Sequence, residues 1–201
     1  MAAPRAHSAS SSVGGTPRGT RQDVVVFLDV DGVLHSLFGD DLFLEACCAA
    51  LERVLRTTGA SVVLSSSWRT EEHKVAMLNG VLQRRRLAPI IDRTKELSAP
   101  REAEICEWLD RHPEVTQWVA IDDMDLEGGR SVHASRVRGH FVRTDCNVGL
   151  TAAQAEQAIR ILQRQGAALH SPRGTSAGAS ATAAAATPVA AAAAASQAAA
   201  V

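Results

Sequence analysis

The sequence predicts an α/β fold: a doubly wound, parallel, five-stranded sheet with helices on both faces, Rossmann-like in its winding. Three observations predict it. Short apolar runs at 24–28, 61–64 and 118–121 have strand length, segments with helical apolar spacing separate them, and each run ends in a polar cluster. Strands alternating with helices imply right-handed βαβ units, and ligands in such sheets bind outside the carboxyl ends of the strands.

The segment 24–34, Val-Val-Val-Phe-Leu-Asp-Val-Asp-Gly-Val-Leu, is a buried strand that delivers Asp29 and Asp31 to its own C-terminal end. A short loop, 35–41, follows. Leu44, Cys47, Cys48, Leu51, Val54 and Leu55 then recur at helical spacing, and Gly59 stands where a helix ends. The second strand, 61–64, runs into Ser65, Ser66 and Ser67. Thr70 is the expected N-cap of a second helix bearing Val75, Leu78 and Leu82, whose basic end is Arg84 to Arg86. Pro89, Ile90 and Ile91 predict a short third strand. Ser98 and Pro100 open a third helix with Ile105, Trp108 and Leu109 that stops near His112 and Pro113. The fourth strand ends in Asp122 and Asp123, and a loop holding Gly128 and Gly129 follows. A fifth strand is expected at 141–144. Thr151 and Gln154 form a capping box before a last helix that Gly166 is expected to close.

Composition sets the boundaries. Residues 1–22 are rich in Ser, Gly, Thr, Pro and Arg, and 167–201 are mostly alanine, so both read as disordered tails around a single domain at 23–166. The chain has 21 Lys and Arg against 22 Asp and Glu; Arg5, Arg18, Arg21 and Arg173 lie outside the domain and no acid does, which leaves the domain 17 against 22. That balance argues against a generally basic nucleic-acid-binding domain. The 4 cysteines, Cys47, Cys48, Cys106 and Cys146, have neither CxxC nor zinc spacing and point to a reduced, cytoplasmic protein. No apolar run is long enough for a membrane span. The N-terminal tail shares Arg and Ser and a lack of acids with organelle transit peptides, but it has no amphipathic apolar face.

Carboxylates from two strands meeting at one sheet edge repel one another unless a cation sits between them, and Mg²⁺ prefers such hard oxygen ligands together with a substrate phosphate. A serine hydroxyl beside them donates to phosphate without adding negative charge. The complementary cation is either Lys95, before the third helix, or Arg101, in that helix's first turn.

Asp29-Val30-Asp31-Gly32-Val33-Leu34, the serine ending the second strand, the basic residue before the fourth and the Asp122-Asp123 pair after it resemble the four motifs of the haloacid dehalogenase-like (HAD) phosphohydrolases. The stretch from Ser65 to Arg69, the helix around Ile105, Ala120 to Asp123 and the late Gly149-Leu150-Thr151 more narrowly resemble the HAD domain of multifunctional RNA-repair proteins. The resemblance implies Asp29 as a nucleophile that forms an aspartyl-phosphate, Asp31 as proton donor and later base, and Ser65, with Ser66, as phosphoryl ligands. It implies Arg101 or Lys95 as the charge-stabilising cation, and Asp29, Asp31, Asp122 and Asp123 as the residues around Mg²⁺. Cap domains of the superfamily follow the first motif or the third strand; here those connections, 35–41 and 92–99, are too short for one. A capless site implies a large or exposed phosphate, such as a nucleic-acid end, and the Arg- and His-rich segment 128–143 is a candidate grip on its backbone. Two other classes fit part of the pattern. A receiver-like signalling domain keeps its phosphoaspartate, and a non-catalytic HAD-like domain only binds. Trp68 and Trp108 read as packing residues.

Overall fold

The computed structural model describes residues 21–170; the two expected tails lie outside them, apart from the few tail residues at 21–22 and 167–170. Five parallel strands, β1 (Arg21–Leu28), β2 (Ala60–Leu64), β3 (Asp92–Arg93), β4 (Gln117–Asp122) and β5 (Phe141–Arg143), form one sheet in the order β3-β2-β1-β4-β5. The winding leaves β1 towards β2 and β3, then returns to its other side for β4 and β5. The switch point therefore lies at the carboxyl end of β1, where such sheets bind ligands.

Alternation along β1 builds two cores. Val24, Val26 and Leu28 face α1 (Glu45–Thr58), α2 (Glu72–Arg84) and α5 (Ala152–His170), packing with Leu51, Val54, Leu78, Leu82 and Leu162. Val25 and Phe27 face α3 (Arg101–Arg111) and α4 (Val132–Val137). There Phe27 meets Trp108 and Trp118 edge-on, with ring centroids 5.2 and 5.8 Å away. No cap domain interrupts this framework: only 94–100 separate β3 from α3, and 29–44 hold neither helix nor strand.

Four local expectations are corrected. The third strand is not Pro89–Ile91 but β3, two residues long. Proline has no N–H to give the ladder and the Ile90 N–H goes to Asn79 Oδ1 at 3.0 Å, so strand pairing starts only at Ile91, whose N–H reaches Val62 O at 2.9 Å. Thr70 does not cap α2. It ends a 3₁₀ turn, Ser67–Thr70, and its hydroxyl donates back to Ser67 O at 3.0 Å, so Glu71 is the N-cap. The loop after β4 contains α4, capped by Ser131 Oγ accepting from Ala134 N–H at 3.0 Å. Gly166 does not close α5, which runs on to His170; a Cβ there would lie 2.7 Å from Gln117 Oε1, so the glycine serves close packing. Gly59 does end α1 in the left-handed conformation, and the Thr151–Gln154 capping box forms with contacts of 2.9 and 3.3 Å.

Candidate active site

The register of the three central strands sets the site. Leu28 pairs with both Leu64 and Ile121, so the next residues, Asp29, Ser65 and Asp122, stand at one level at the carboxyl end of the sheet. Backbone bonds continue the ladder across them: Asp29 N–H to Ile121 O at 3.0 Å, Ser65 N–H to Leu28 O at 2.9 Å and Thr144 N–H to Asp122 O at 3.0 Å.

Arg101 closes the group. Its Nη1 lies 2.8 Å from Asp29 Oδ1 and 2.7 Å from Asp122 Oδ2, so one nitrogen bridges carboxylates from two strands. It is Arg101, not Lys95, that reaches them: Lys95 is bound to Glu107 at 2.8 Å on the exposed side of α3. Asp29 is 5 % and Asp122 2 % exposed. Burial raises the Asp29 pKa above the ordinary aspartate value, against the Arg101 charge and hydrogen bonds from Ser66 and the Val30 backbone. Burial, reinforced by the Asp29 charge, lifts Asp122 to about 7, although Arg101 and the Met124 N–H oppose it. Burial also works against the Arg101 charge, but Asp122 and Asp29 outweigh it, and the guanidinium is held more firmly protonated than usual. One cation against two buried anions leaves a net negative site, so one carboxyl retains a proton more readily.

Asp29, Asp122 and Asp123 each offer an oxygen, all within 4.8 Å of one another, and could hold a metal ion. Asp31 belongs to the predicted metal set, but its carboxylate lies outside this group. It accepts instead from Trp68 Nε1, at 3.0 and 2.9 Å to its two oxygens, and lies 3.0 Å from His35 Nε2. Gly32 lets the chain turn between these carboxylates: it has φ +71, and a Cβ there would come 2.8 Å from Asp123 Cγ.

Ser65 and Ser66 divide their work. The Ser66 side chain bonds Asp29, and its Oγ also accepts from the Trp68 N–H at 3.4 Å. The buried Ser65 hydroxyl has no hydrogen-bond partner among the described residues, so a donor stands ready beside the carboxylates. Behind both, Arg69 binds Glu104 at 2.8 and 2.9 Å and Ser66 O at 2.9 Å, while Glu104 accepts from Leu97 N–H at 2.9 Å. This buried pair ties the turn after β2 to α3, and so to Arg101. A cleft of about 300 Å³ opens along the same seam, lined by Ser67, Arg69, Thr70, Arg101, Glu104 and Met124.

Sequence reading missed Trp68 and His35 as partners of Asp31, and the Arg69–Glu104 pair. A polar indole edge three residues beyond Ser65 was the available signal for the first; nothing local marks the second. The basic segment 128–143 is largely engaged internally: Arg136 binds Asp110 at 2.6 Å, Arg143 reaches Asp123 O at 3.1 Å, and His140 stacks on Trp118 at 4.3 Å.

The model of a protein family described as "HAD domain in Swiss Army Knife RNA repair proteins" matches residues 25–155. The chain belongs to this family. The match covers β1 to the start of α5 and contains every residue of the site just described, and HAD membership points to phosphohydrolase-type chemistry. No curated protein and no solved structure matches the chain. No helix among the described residues is long and apolar enough to cross a membrane.

Proposed function

We propose that this HAD domain is a Mg²⁺-dependent phosphomonoesterase acting through an aspartyl-phosphate on Asp29. The observation that supports it most is the bridge from Arg101 to both Asp29 and Asp122, with the unpartnered Ser65 hydroxyl beside it. Asp29 attacks phosphorus, the ester P–O bond breaks, and the leaving oxygen takes a proton from Asp31. Water then attacks the same phosphorus and gives a proton to Asp31; inorganic phosphate leaves and the Asp29 carboxylate is restored. Arg101 and Ser65 bind the phosphoryl oxygens as charge shifts onto them.

The donor set fits Mg²⁺, because three hard carboxylates converge and burial pushes two of them towards protonation, which a cation among them would oppose. Asp29, Asp122 and Asp123 would hold the ion, which when bound supplies charge opposite the phosphoryl oxygens and keeps the carboxylates ionised together. A pH dependence follows. Asp122 binds its proton more tightly folded than unfolded, where its pKa is roughly 4, so the associated stability is present at low pH and is lost as pH rises through about 7. Metal-free protein should therefore melt at a lower temperature at pH 8 than at pH 6, and Mg²⁺ should raise the midpoint more at pH 8. Equal midpoint shifts at both pH values would contradict this.

The absence of a cap supports a phosphate borne by something large, and the family's description makes a nucleic-acid end the leading candidate. A screen with and without Mg²⁺ tests this against nucleotides, 5′- and 3′-phosphorylated oligonucleotides, sugar phosphates and phosphopeptides. The expected result is Mg²⁺-dependent phosphate release, fastest from oligonucleotide ends. Turnover that survives chelation, or none on any ester, would overturn the reading. Lys95→Ala should change kcat/KM less than about twofold, since its ammonium is spent on Glu107.

A further inference from the structure

The carboxylate of Asp31 is held by aromatic side chains from two separate segments. The Trp68 indole N–H lies between its oxygens, at 3.0 Å from Oδ1 and 2.9 Å from Oδ2, and His35 Nε2 lies 3.0 Å from Oδ1. His35 is 3 % exposed, and its Nδ1 is buried with no partner among the described residues. A proton on Nδ1 would be a buried donor without an acceptor and would turn a bare Nε2 lone pair against the carboxylate. The tautomer with its proton on Nε2 donates to Asp31 and leaves only Nδ1, as a bare acceptor, unpaired among the described residues.

Phe43 fixes both rings from the outside. It meets His35 edge-on at 5.8 Å and Trp68 at 5.5 Å between centroids. It does so from a left-handed backbone conformation, φ 59, which a phenylalanine adopts only under constraint, and the Leu44 N–H to Leu34 O bond of 2.9 Å closes the loop behind it. The connection that is too short for a cap thus returns an aromatic ring to the opening motif. Trp68 belongs to the 3₁₀ turn capped by Ser66, so the serines and the support of Asp31 share one rigid segment.

We infer that Trp68, His35 and Phe43 form a bracket that orients the Asp31 carboxylate for proton transfer to the leaving oxygen. Oδ1 receives two N–H contacts and Oδ2 one, so Oδ2 is the oxygen left to carry the transferable proton. The three rings act through Asp31 and are positioning residues. The inference rests on the phosphomonoesterase reading above.

Leaving-group dependence tests it, because an ester with a good leaving group needs no proton at that oxygen and an alkyl ester does. Trp68→Phe keeps the ring and removes the N–H; His35→Leu removes the second donor, and His35→Gln returns one at similar reach. On a simple alkyl phosphate, Trp68→Phe and His35→Leu should lose at least about tenfold more kcat/KM, which covers the steps up to departure of the leaving group, than on 2,4-dinitrophenyl phosphate, and His35→Gln should recover most of the difference. In an Asp31→Ala background, neither should add to the alkyl-ester loss. Equal losses on the two esters, or faster turnover of the alkyl ester by Trp68→Phe, would overturn the bracket while leaving the phosphomonoesterase reading intact. Wild-type protein inert towards both esters would overturn that reading and the bracket's catalytic role with it. The geometry has its own check without turnover: the Trp68 indole N–H resonance should shift in Asp31→Ala and in His35→Leu. A signal unmoved in Asp31→Ala means that the contact is absent.

Discussion

Asp29→Asn should lower phosphomonoester turnover by roughly 10⁴-fold or more, because the replacement keeps shape and removes the attacking carboxylate. The fold should survive. The amide oxygen that replaces the carboxylate can still accept from Arg101, and the swap removes one of the two negative charges that face that guanidinium in a buried space. Asp122, freed of the Asp29 charge that helps to raise its pKa, should titrate below about 7. Stopped-flow acid quench with labelled phosphate checks the chemical step in the wild type, where a short-lived phosphoenzyme is expected. A persistent phosphoenzyme would favour the receiver-like alternative, and undiminished turnover in Asp29→Asn would require another nucleophile.

Arg101→Ala should have the second largest effect, and on stability as well as rate. It strands Asp29 and Asp122 side by side, both buried, and breaking a buried charge cluster in this way costs about 3–5 kcal/mol. Protonation of one carboxyl relieves the repulsion, so the loss should be smaller at pH 5.5 than at pH 8, and Mg²⁺ should offset part of it. Turnover should fall about 10²–10³-fold, the usual consequence of removing one donor to a developing oxyanion. Both contacts come from the same nitrogen, Nη1, so a lysine ammonium able to reach that point could make them too. Arg101→Lys should retain much more stability than Arg101→Ala. Denaturant titrations of the three proteins at both pH values decide it. Equal midpoints for wild type and Arg101→Ala at pH 8 would mean that the cluster is not held as described.

Much of this was legible because the opening strand carries its signal locally. An apolar run ending in Asp29 and Asp31 needs no tertiary information to be placed, and the same holds for β2 running into Ser65 and for β4 ending at Asp122. The choice between Arg101 and Lys95 was not local: both stand near the start of α3, and only the packing of that helix against β1 and β4 turns Arg101 inward while Glu107 takes Lys95. Trp68 read as packing, and it is buried, but the indole presents its polar edge to a carboxylate 37 residues earlier, which no periodicity encodes. Residues 132–137 escaped notice because only Ala134 and Val137 of that helix are buried, too few for a stripe. The third strand was displaced by a hydrogen bond that the Ile90 N–H donates to a helix side chain, Asn79, which propensity cannot foresee.

The two outermost strands, β3 with two residues and β5 with three, bear on a different matter. An exposed sheet edge is a template on which another chain can add a strand, and its reach scales with the number of unpaired N–H and C=O groups that it presents. A sheet that tapers to two and three residues at its flanks gives a neighbour almost no length to zip onto. The lateral margins thus discourage self-association through β-pairing.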